Sequence, residues 1–246
     1  MFRIREVAAG RLLKFCPPPS RIASFVSSTS SPFLFSRRNL SIDYKNMSPL
    51  DVEKELFRLK RTMGAYYSRG SYGEALQVAR LLESEVLNIW GSDTAVHASC
   101  MVDIGTMLKA LGKSDEAMEQ YQKALPLYLK LYGKNHRSYV NTLTNIGTLY
   151  KFIAETEKDE KEYLANLSKA EEVLSEASML RKELKGIFFV IVGFVSQSFL
   201  LGNRHKEALI NENHLANVLK GKGSFTEAQE KFREILQICR EDHGEW

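Results

Sequence analysis

The chain has 246 residues, 44% of them hydrophobic and 26% charged, which allows one or two domains whose core needs no disulfides. Its three cysteines, Cys16, Cys100 and Cys239, have neither the spacing of a disulfide framework nor that of a zinc site. The net charge of +4 divides into +6 on residues 1–40 and −2 on the other 206, which argues against a nucleic-acid-binding body.

The first 40 residues are rich in arginine and serine and contain a single acidic residue. The opening MFRIREVAAGRLLKF places basic residues between apolar ones at helical spacing, as organellar transit peptides do. Arg11 and Lys14 interrupt the apolar core that a secretory signal would need. We therefore predict a disordered mitochondrial transit peptide over residues 1–40, cleaved after Leu40, and a linker over residues 41–50. The matrix is the expected destination, with plastid or dual targeting as the alternative.

From residue 51 onwards, small residues recur with a period of 42. In each unit, a helical segment with small residues leads through a glycine turn to a second helical segment that contains alanine. Small residues are needed where two helices cross closely, and the turn glycines Gly70, Gly112 and Gly223 permit a positive φ. The pairs that lie 42 residues apart are Ala75 and Ala117, Gly91 and Gly133, and Gly105 and Gly147.

These motifs resemble tetratricopeptide repeats, specifically the 42-residue type of kinesin light chains. The resemblance rests on the first-helix motif from Gly147 to Tyr150, on turns of the form G-x-(S/Y/F)-x-E-A, and on GKNH at residues 133–136. GKNH is similar to the G-x-x-H-P linker of that family, although Arg137 stands where proline is expected. The resemblance implies an all-α, right-handed helical solenoid of about four helix pairs. The expected repeats span residues 56–97, 98–139, 140–186 and 203–246, within a domain over residues 51–246.

The third repeat is longer than the others. Gly147 and Ala170 are 23 residues apart, whereas the equivalent Gly105 and Ala117 are twelve apart. Eleven extra residues make close to three helical turns, so we expect lengthened helices that keep their apolar face in phase. The extra segment is highly charged, and we interpret it as a solvated extension rather than a dedicated partner site.

Residues 187–202, IFFVIVGFVSQSFLLG, interrupt the link between the third and fourth repeats. When they are removed, Gly186 is followed directly by residues 203–205, and the resulting GNRH aligns with GKNH at residues 133–136. The apolar run over residues 187–201 is shorter than the roughly 20 residues that a membrane span needs. We predict an insertion that arises from splicing or from the gene model, or that forms a hydrophobic docking loop or helix. Peripheral membrane attachment through residues 187–201 is the alternative.

No glycine-rich phosphate loop and no metal-ligand spacing are present in the sequence. His136 and His205 are predicted to be turn residues rather than catalytic bases. Cys100 and Cys239 are predicted to be small packed residues rather than nucleophiles. We therefore predict that the chain is not an enzyme and uses neither a cofactor nor a metal.

The resemblance implies that the first helix of each repeat lines a concave groove that binds a protein segment. Lysines on successive first helices would attract an acidic peptide, and asparagines between them would bind its backbone. Chaperone-binding relatives need lysine and arginine where Asn141 and Asn145 stand, so a chaperone tail is disfavoured. The predicted groove residues are Lys60, Arg61, Tyr67, Lys109, Asn145, Lys151, Asn213, His214, Asn217 and Lys220.

We predict a mitochondrial adaptor or assembly factor that binds an acidic protein segment. Loosely similar mitochondrial repeat proteins assist the assembly of respiratory complexes. The alternatives are an organellar RNA-binding helical repeat, whose period would be near 35, and a membrane-associated protein. No nucleic acid partner and no transmembrane span are expected. Weak self-association is predicted through an apolar edge of the last helix, formed by Phe232, Ile235, Leu236 and Cys239.

Overall fold

The computed structural model describes residues 47–191 and 197–243, with the side chains of residues 47–184 and 208–240. Within these ranges the chain forms eight α-helices and no β-strand. The predicted transit peptide over residues 1–40 lies outside the described residues. The helices are α1 (Pro49–Ser68), α2 (Tyr72–Trp90), α3 (Ala95–Ala110), α4 (Ser114–Tyr132), α5 (Arg137–Thr156), α6 (Glu160–Ile191), α7 (Gln197–Gly221) and α8 (Phe225–His243).

Helix α1 begins at Pro49, within the predicted linker over residues 41–50. Ser48 caps the helix, because its side-chain oxygen accepts a hydrogen bond from the backbone N–H of Asp51 at 3.2 Å. Proline suits the first helical position, since it lacks an N–H that would be left unpaired there. The last two residues of the predicted linker, 49 and 50, are therefore the first residues of α1.

The chain divides into two compact units, residues 1–113 and 114–246. In the described part of the first unit, α2 packs against both α1 and α3. In the second unit, α5 packs against α4 and α6, and α7 packs against α6 and α8. The core of each unit is therefore formed between consecutive antiparallel helices. Its largest fully buried hydrophobic side chains are Leu56, Leu59, Val86 and Leu108 in the first unit and Tyr121, Val140, Leu149, Leu174 and Val218 in the second.

Three turns between helices share one hydrogen-bond pattern. At Gly70, Gly112 and Gly223 the φ angle is 78°, 75° and 84°, as the sequence predicted. Each glycine N–H donates to the carbonyl three residues earlier, at 3.0, 3.0 and 3.1 Å. The next residue donates to the carbonyl five residues earlier, at 3.0, 2.9 and 3.0 Å. Because this helix-ending pattern needs a left-handed residue, glycine at these positions determines where α1, α3 and α7 stop.

Helices α5 and α6 are joined by residues 157–159 without a glycine turn. Asp159, just before the first residue of α6, caps that helix instead, since its Oδ1 accepts a hydrogen bond from the backbone N–H of Glu162 at 3.0 Å. Helix α5 has 20 residues, as α1 has, whereas α6 has 32, of which residues 160–186 belong to the third repeat. The described parts of the predicted insertion are also helical: residues 187–191 end α6, and residues 197–202 begin α7.

Gly147 marks the crossing of α5 and α6. A Cβ atom at this position would lie 2.6 Å from Leu174 Cγ and 2.8 Å from its Cδ2, which is closer than real contacts allow. Leu174 is fully buried in the core of the second unit, so it has little room to move. The expectation that small residues lie where helices cross is confirmed at Gly147.

Candidate protein-binding surface

The predicted groove residues of the first unit lie on α1 and α3. Lys60 on α1 is engaged within the unit: its Nζ lies 3.2 Å from Asp103 Oδ2 and donates to Ser99 Oγ at 3.1 Å. The Lys60 side chain is only 14% exposed, whereas its neighbour Arg61 is exposed. Lys60 therefore connects α1 with α3, and its charge is balanced by Asp103.

Tyr67 and Lys109 occupy corresponding positions at the ends of α1 and α3. The carbonyl of Tyr67 accepts from the N–H of Gly70, and the carbonyl of Lys109 accepts from the N–H of Gly112. Tyr67 also lies against Tyr72, with ring centroids 5.3 Å apart, and burial raises the pKa of Tyr67. Lys109 is partly buried.

The predicted residues of the second unit lie on α5 and α7. Lys220 occupies the same turn position as Tyr67 and Lys109, because its carbonyl accepts from the N–H of Gly223. Lys151 differs, since α5 continues beyond it to Thr156 and its Nζ pairs with Glu155 Oε1 at 2.7 Å. The structure thus assigns Lys220, but not Lys151, to the repeated turn position.

One face of α7 presents amide groups next to Lys220. Asn213 is exposed and Asn217 is half-buried, and their spacing along the helix places both on the same face. Asn217 Nδ2 donates to the Asn213 carbonyl at 2.7 Å and lies 3.4 Å from Asn213 Oδ1. His214 is half-buried on the same helix, and Asn145 is half-buried on α5. Amides offer both donors and an acceptor to a peptide backbone.

A buried polar network that the sequence did not reveal joins α5, α6 and α7. Asn211, which has no exposed surface, accepts from Thr144 Oγ1 at 3.1 Å and donates to the Leu174 carbonyl at 3.2 Å. Arg181 donates to Thr144 Oγ1 at 3.0 Å and to Asn141 Oδ1 at 3.1 Å. Asn141, which stands where chaperone-binding relatives have a basic residue, is therefore bonded to α6. The network fixes how these three helices align.

A second feature missed from the sequence is a cleft of about 80 Å³ between α6 and α8, with α7 behind it. Ser178 donates to Glu212 Oε1, and Lys231 Nζ lies 3.4 Å from Glu212 Oε2 and 3.0 Å from Glu234 Oε2. The cleft is lined by Ser178, Arg181, Lys182, Ala208, Leu209, Glu212, Glu234, Ile235 and Ile238.

The predicted apolar edge of α8 is only partly an open surface. Phe232 packs against the core cluster of the second unit, which includes Leu167 and Leu219, because it faces α7. Leu236 is 57% exposed, and Ile235 lines the cleft. Phe232 is therefore partly buried against the core rather than fully part of an exposed edge.

Cys100 is buried, and this burial raises the pKa of its thiol, so that the reactive thiolate does not form at neutral pH. Among the side chains that the structure describes, no three His, Cys, Asp or Glu residues lie close enough together to hold a metal ion. None of the helices in the described ranges combines the length and the apolar composition needed to cross a membrane.

Comparison with known proteins adds independent information. The tetratricopeptide repeat family model matches residues 85–158. A search of curated proteins finds no match. Among solved structures, BtubC (BKLC) from P. vanneervenii is similar with a TM-score of 0.61 and 16% identity, over 82% of this chain and 70% of that one.

Two structures of TPR-like repeats from Podosopora anserina, assigned to a kinesin light chain, are also similar. The first has a TM-score of 0.42 and 14% identity, over 78% of this chain and 98% of that one. The second, a single-residue variant of the same repeats, has a TM-score of 0.41 and 15% identity, over 76% and 95%. The family match and the likeness to BtubC confirm the predicted fold class: the chain has an all-α, tetratricopeptide-like fold.

Proposed function

We propose that this chain is a non-catalytic adaptor that binds an acidic segment of another protein. Tetratricopeptide repeats are protein-interaction repeats, and the match over residues 85–158 supports that general role. The glycine turn that recurs between helices supports the more specific proposal, that the bound segment is acidic. Lys109 in the first unit and Lys220 in the second stand at the same position of the same hydrogen-bonded turn, so each unit carries a lysine at the corresponding place of its own repeat.

The amides of α7 support the choice of an extended peptide as ligand. Asn213, Asn217 and Lys220 lie along one helix face, where the amides can pair with a peptide backbone and the ammonium with a carboxylate. Lys60 contributes less to this proposal, because Asp103 already balances its charge. Lys151 is paired with Glu155 on its own helix, so it also contributes less than Lys220.

Fluorescence anisotropy with a labelled peptide of alternating glutamate and serine tests the proposal. Lys109→Glu combined with Lys220→Glu should weaken binding by about tenfold or more, because each change places like charges together. Lys123→Glu is the matched control. Lys123 is exposed on α4, which is the second helix of its repeat and so is not predicted to line the groove, and it pairs with Glu119 on the same helix. A peptide with glutamine in place of glutamate should bind weakly to the unchanged protein.

Two results would contradict this proposal. The first is a double variant that binds the acidic peptide as tightly as the unchanged chain does. The second is a labelled single-stranded RNA that binds more tightly than the peptide at about 150 mM salt, which would favour the RNA-binding alternative.

We further propose that the adaptor acts in mitochondria and that a second copy of the chain is one of its partners. The mitochondrial location is supported by the basic, serine-rich and acid-poor composition of residues 1–40. Self-association is supported by exposed apolar side chains near the C-terminal helices, including Met179 and Leu236, each 57% exposed.

A further inference from the structure

Helix α6 begins earlier in its repeat than α4 does in the preceding one. Ala170 of α6 corresponds to Ala117 of α4 in the repeat alignment. Helix α4 begins three residues before its alanine, at Ser114, whereas α6 begins ten residues before its alanine, at Glu160. The first seven residues of α6, residues 160–166, therefore have no counterpart in α4, and we call them the α6 extension.

One face of α6 packs against the turn between α7 and α8. Within the α6 extension, Tyr163 is partly buried, although the sequence predicts a solvated segment, and its Oη donates a hydrogen bond to the Gly221 carbonyl at 3.3 Å. One helical turn further on, Leu167 is 2% exposed within the core cluster. After another turn, Glu171 Oε2 lies 2.5 Å from Lys222 Nζ. Because the three α6 residues are spaced four apart, they lie on one face and contact the turn together.

The close approach of α6 to this turn requires a glycine at residue 221. A Cβ atom at Gly221 would lie 3.0 Å from both Leu167 Cδ1 and Tyr163 Oη, which is closer than most real contacts. The equivalent residues of the first two repeats, two positions before the turn glycine, are Ser68 and Ala110, and both have side chains. The repeat that the α6 extension contacts therefore has a glycine where these two repeats have none.

Lys220 directly precedes Gly221. Its side chain is exposed, and its carbonyl accepts from the N–H of Gly223, which closes the turn. Helix ends open locally at low cost in free energy, and a mobile ligand-binding group loses more freedom on binding than a fixed one. We propose that Tyr163 and Glu171 are positioning residues, which hold the turn between α7 and α8 against α6 and thereby orient Lys220 for the acidic segment. This inference rests on the proposed function and assigns two further residues to its site.

The charge of Glu171 gives the inference a test of sign. Removing a carboxylate close to an acidic ligand lowers the repulsion between them, so electrostatics alone predicts tighter binding for Glu171→Gln. Loss of the ion pair with Lys222 also releases the turn, which predicts weaker binding. We expect Glu171→Gln to bind the labelled glutamate and serine peptide about twofold to fourfold more weakly than the unchanged chain, as measured by fluorescence anisotropy.

Substitutions of Tyr163 test the other contact. Tyr163→Ala should weaken peptide binding by about threefold, because it removes both the hydrogen bond and the ring that packs on the core. Tyr163→Phe keeps the ring and should recover most of the affinity. Leu164→Ala and Glu172→Gln are the matched controls, since both residues are exposed on α6, and neither change should weaken binding. Circular dichroism spectra and thermal melts establish that each variant is folded.

Hydrogen exchange measured by NMR on the full-length chain tests the same contact without a ligand. The amides of Gly223 and Ser224 close the turn between α7 and α8, and they should exchange about fivefold faster in Tyr163→Ala. The amides of Gly112 and Lys113 close the equivalent turn of the first unit, and their exchange should stay unchanged.

The outcomes distinguish this inference from the proposed function. An unchanged chain that does not bind the acidic peptide would contradict the proposed function, and this inference with it. If the unchanged chain binds, but Glu171→Gln and Tyr163→Ala bind as tightly or more tightly, the positioning role is overturned while binding of an acidic segment stands. Weaker binding by Tyr163→Ala without faster exchange at Gly223 and Ser224 would also overturn it, because the turn would then not depend on this contact.

Discussion

His136 is the N-cap of α5. Its Nδ1 accepts a hydrogen bond from the backbone N–H of Ser138 at 3.2 Å, and its ring stacks on Tyr132 with centroids 4.1 Å apart. Because Nδ1 accepts this bond, the ring is neutral in the structure, with its hydrogen on Nε2. Burial, and then the positive charge of Arg137, lowers the pKa of His136 from its ordinary 6.5. The sequence predicted a turn residue, and the structure shows a titratable helix cap.

We expect this cap to make the protein less stable in acid. The folded-state pKa is lowered, so the unfolded chain binds the proton more readily than the folded chain does. The contribution of the cap is therefore fully present above pH 6.5 and is lost as the pH falls through the folded-state pKa. Asparagine caps helices without titrating, so His136→Asn should reduce the loss of unfolding free energy between about pH 7.5 and pH 5.

Urea unfolding at both pH values measures this difference. The other ionisable groups contribute equally to both proteins, so only the change between the two proteins is compared. An identical loss of unfolding free energy in the unchanged chain and in His136→Asn would show that the cap does not couple stability to pH.

Among the helices, α5 and α6 cross closely at Gly147. We expect Gly147→Ala to lower the free energy of unfolding by about 1–3 kcal/mol, because the added methyl group overlaps the buried Leu174 and the helices must separate. Chemical denaturation followed by circular dichroism measures this change. The expected effect opposes the general helix preference for alanine over glycine.

Gly64 is the matched control for this substitution. It also lies inside a helix, α1, but a Cβ atom there would meet no atom within 4 Å. Gly64→Ala should therefore raise the free energy of unfolding by about 0.5–1 kcal/mol. Stabilisation by Gly147→Ala of a similar size would show that α5 and α6 do not depend on a glycine at their crossing.

At the scale of the whole molecule, the charge is divided between the first 40 residues and the rest. Residues 1–40 carry a net +6, and the other residues carry −2. We expect a fluorescent reporter fused to residues 1–45 to enter mitochondria and to be cut near Ser41. Arg3→Glu combined with Arg5→Glu should reduce import several-fold, because import depends on the cationic face of the predicted leader helix.

Fluorescence microscopy and N-terminal sequencing of the purified reporter check this expectation. The matched control is Arg37→Lys, which keeps the charge and lies outside the predicted leader helix. A cytosolic reporter would contradict the mitochondrial proposal, and a plastid reporter in plant cells would favour the alternative destination.

The spacing of residues in the sequence predicted those structural features that depend on residues close together in the chain. The glycine turns at Gly70, Gly112 and Gly223 could be predicted, since a left-handed residue is required wherever a helix ends in this way. The position of Gly147 at a helix crossing could be predicted for a similar reason, because close approach excludes a side chain. The partners of Lys60 could not be predicted, since Ser99 and Asp103 lie 39 and 43 residues further along the chain.

By itself, the sequence determined the helical class, the 42-residue period and the turns, because these follow from local backbone preferences and a repeated pattern of small and apolar residues. Only the tertiary structure decided which polar side chains are engaged within the fold. Lys60 was predicted to line a groove, yet it bonds to α3, and Asn141, which stands where chaperone-binding relatives have a basic residue, bonds to α6. A buried polar group must find a partner within its unit, and which partner it finds depends on how the helices pack.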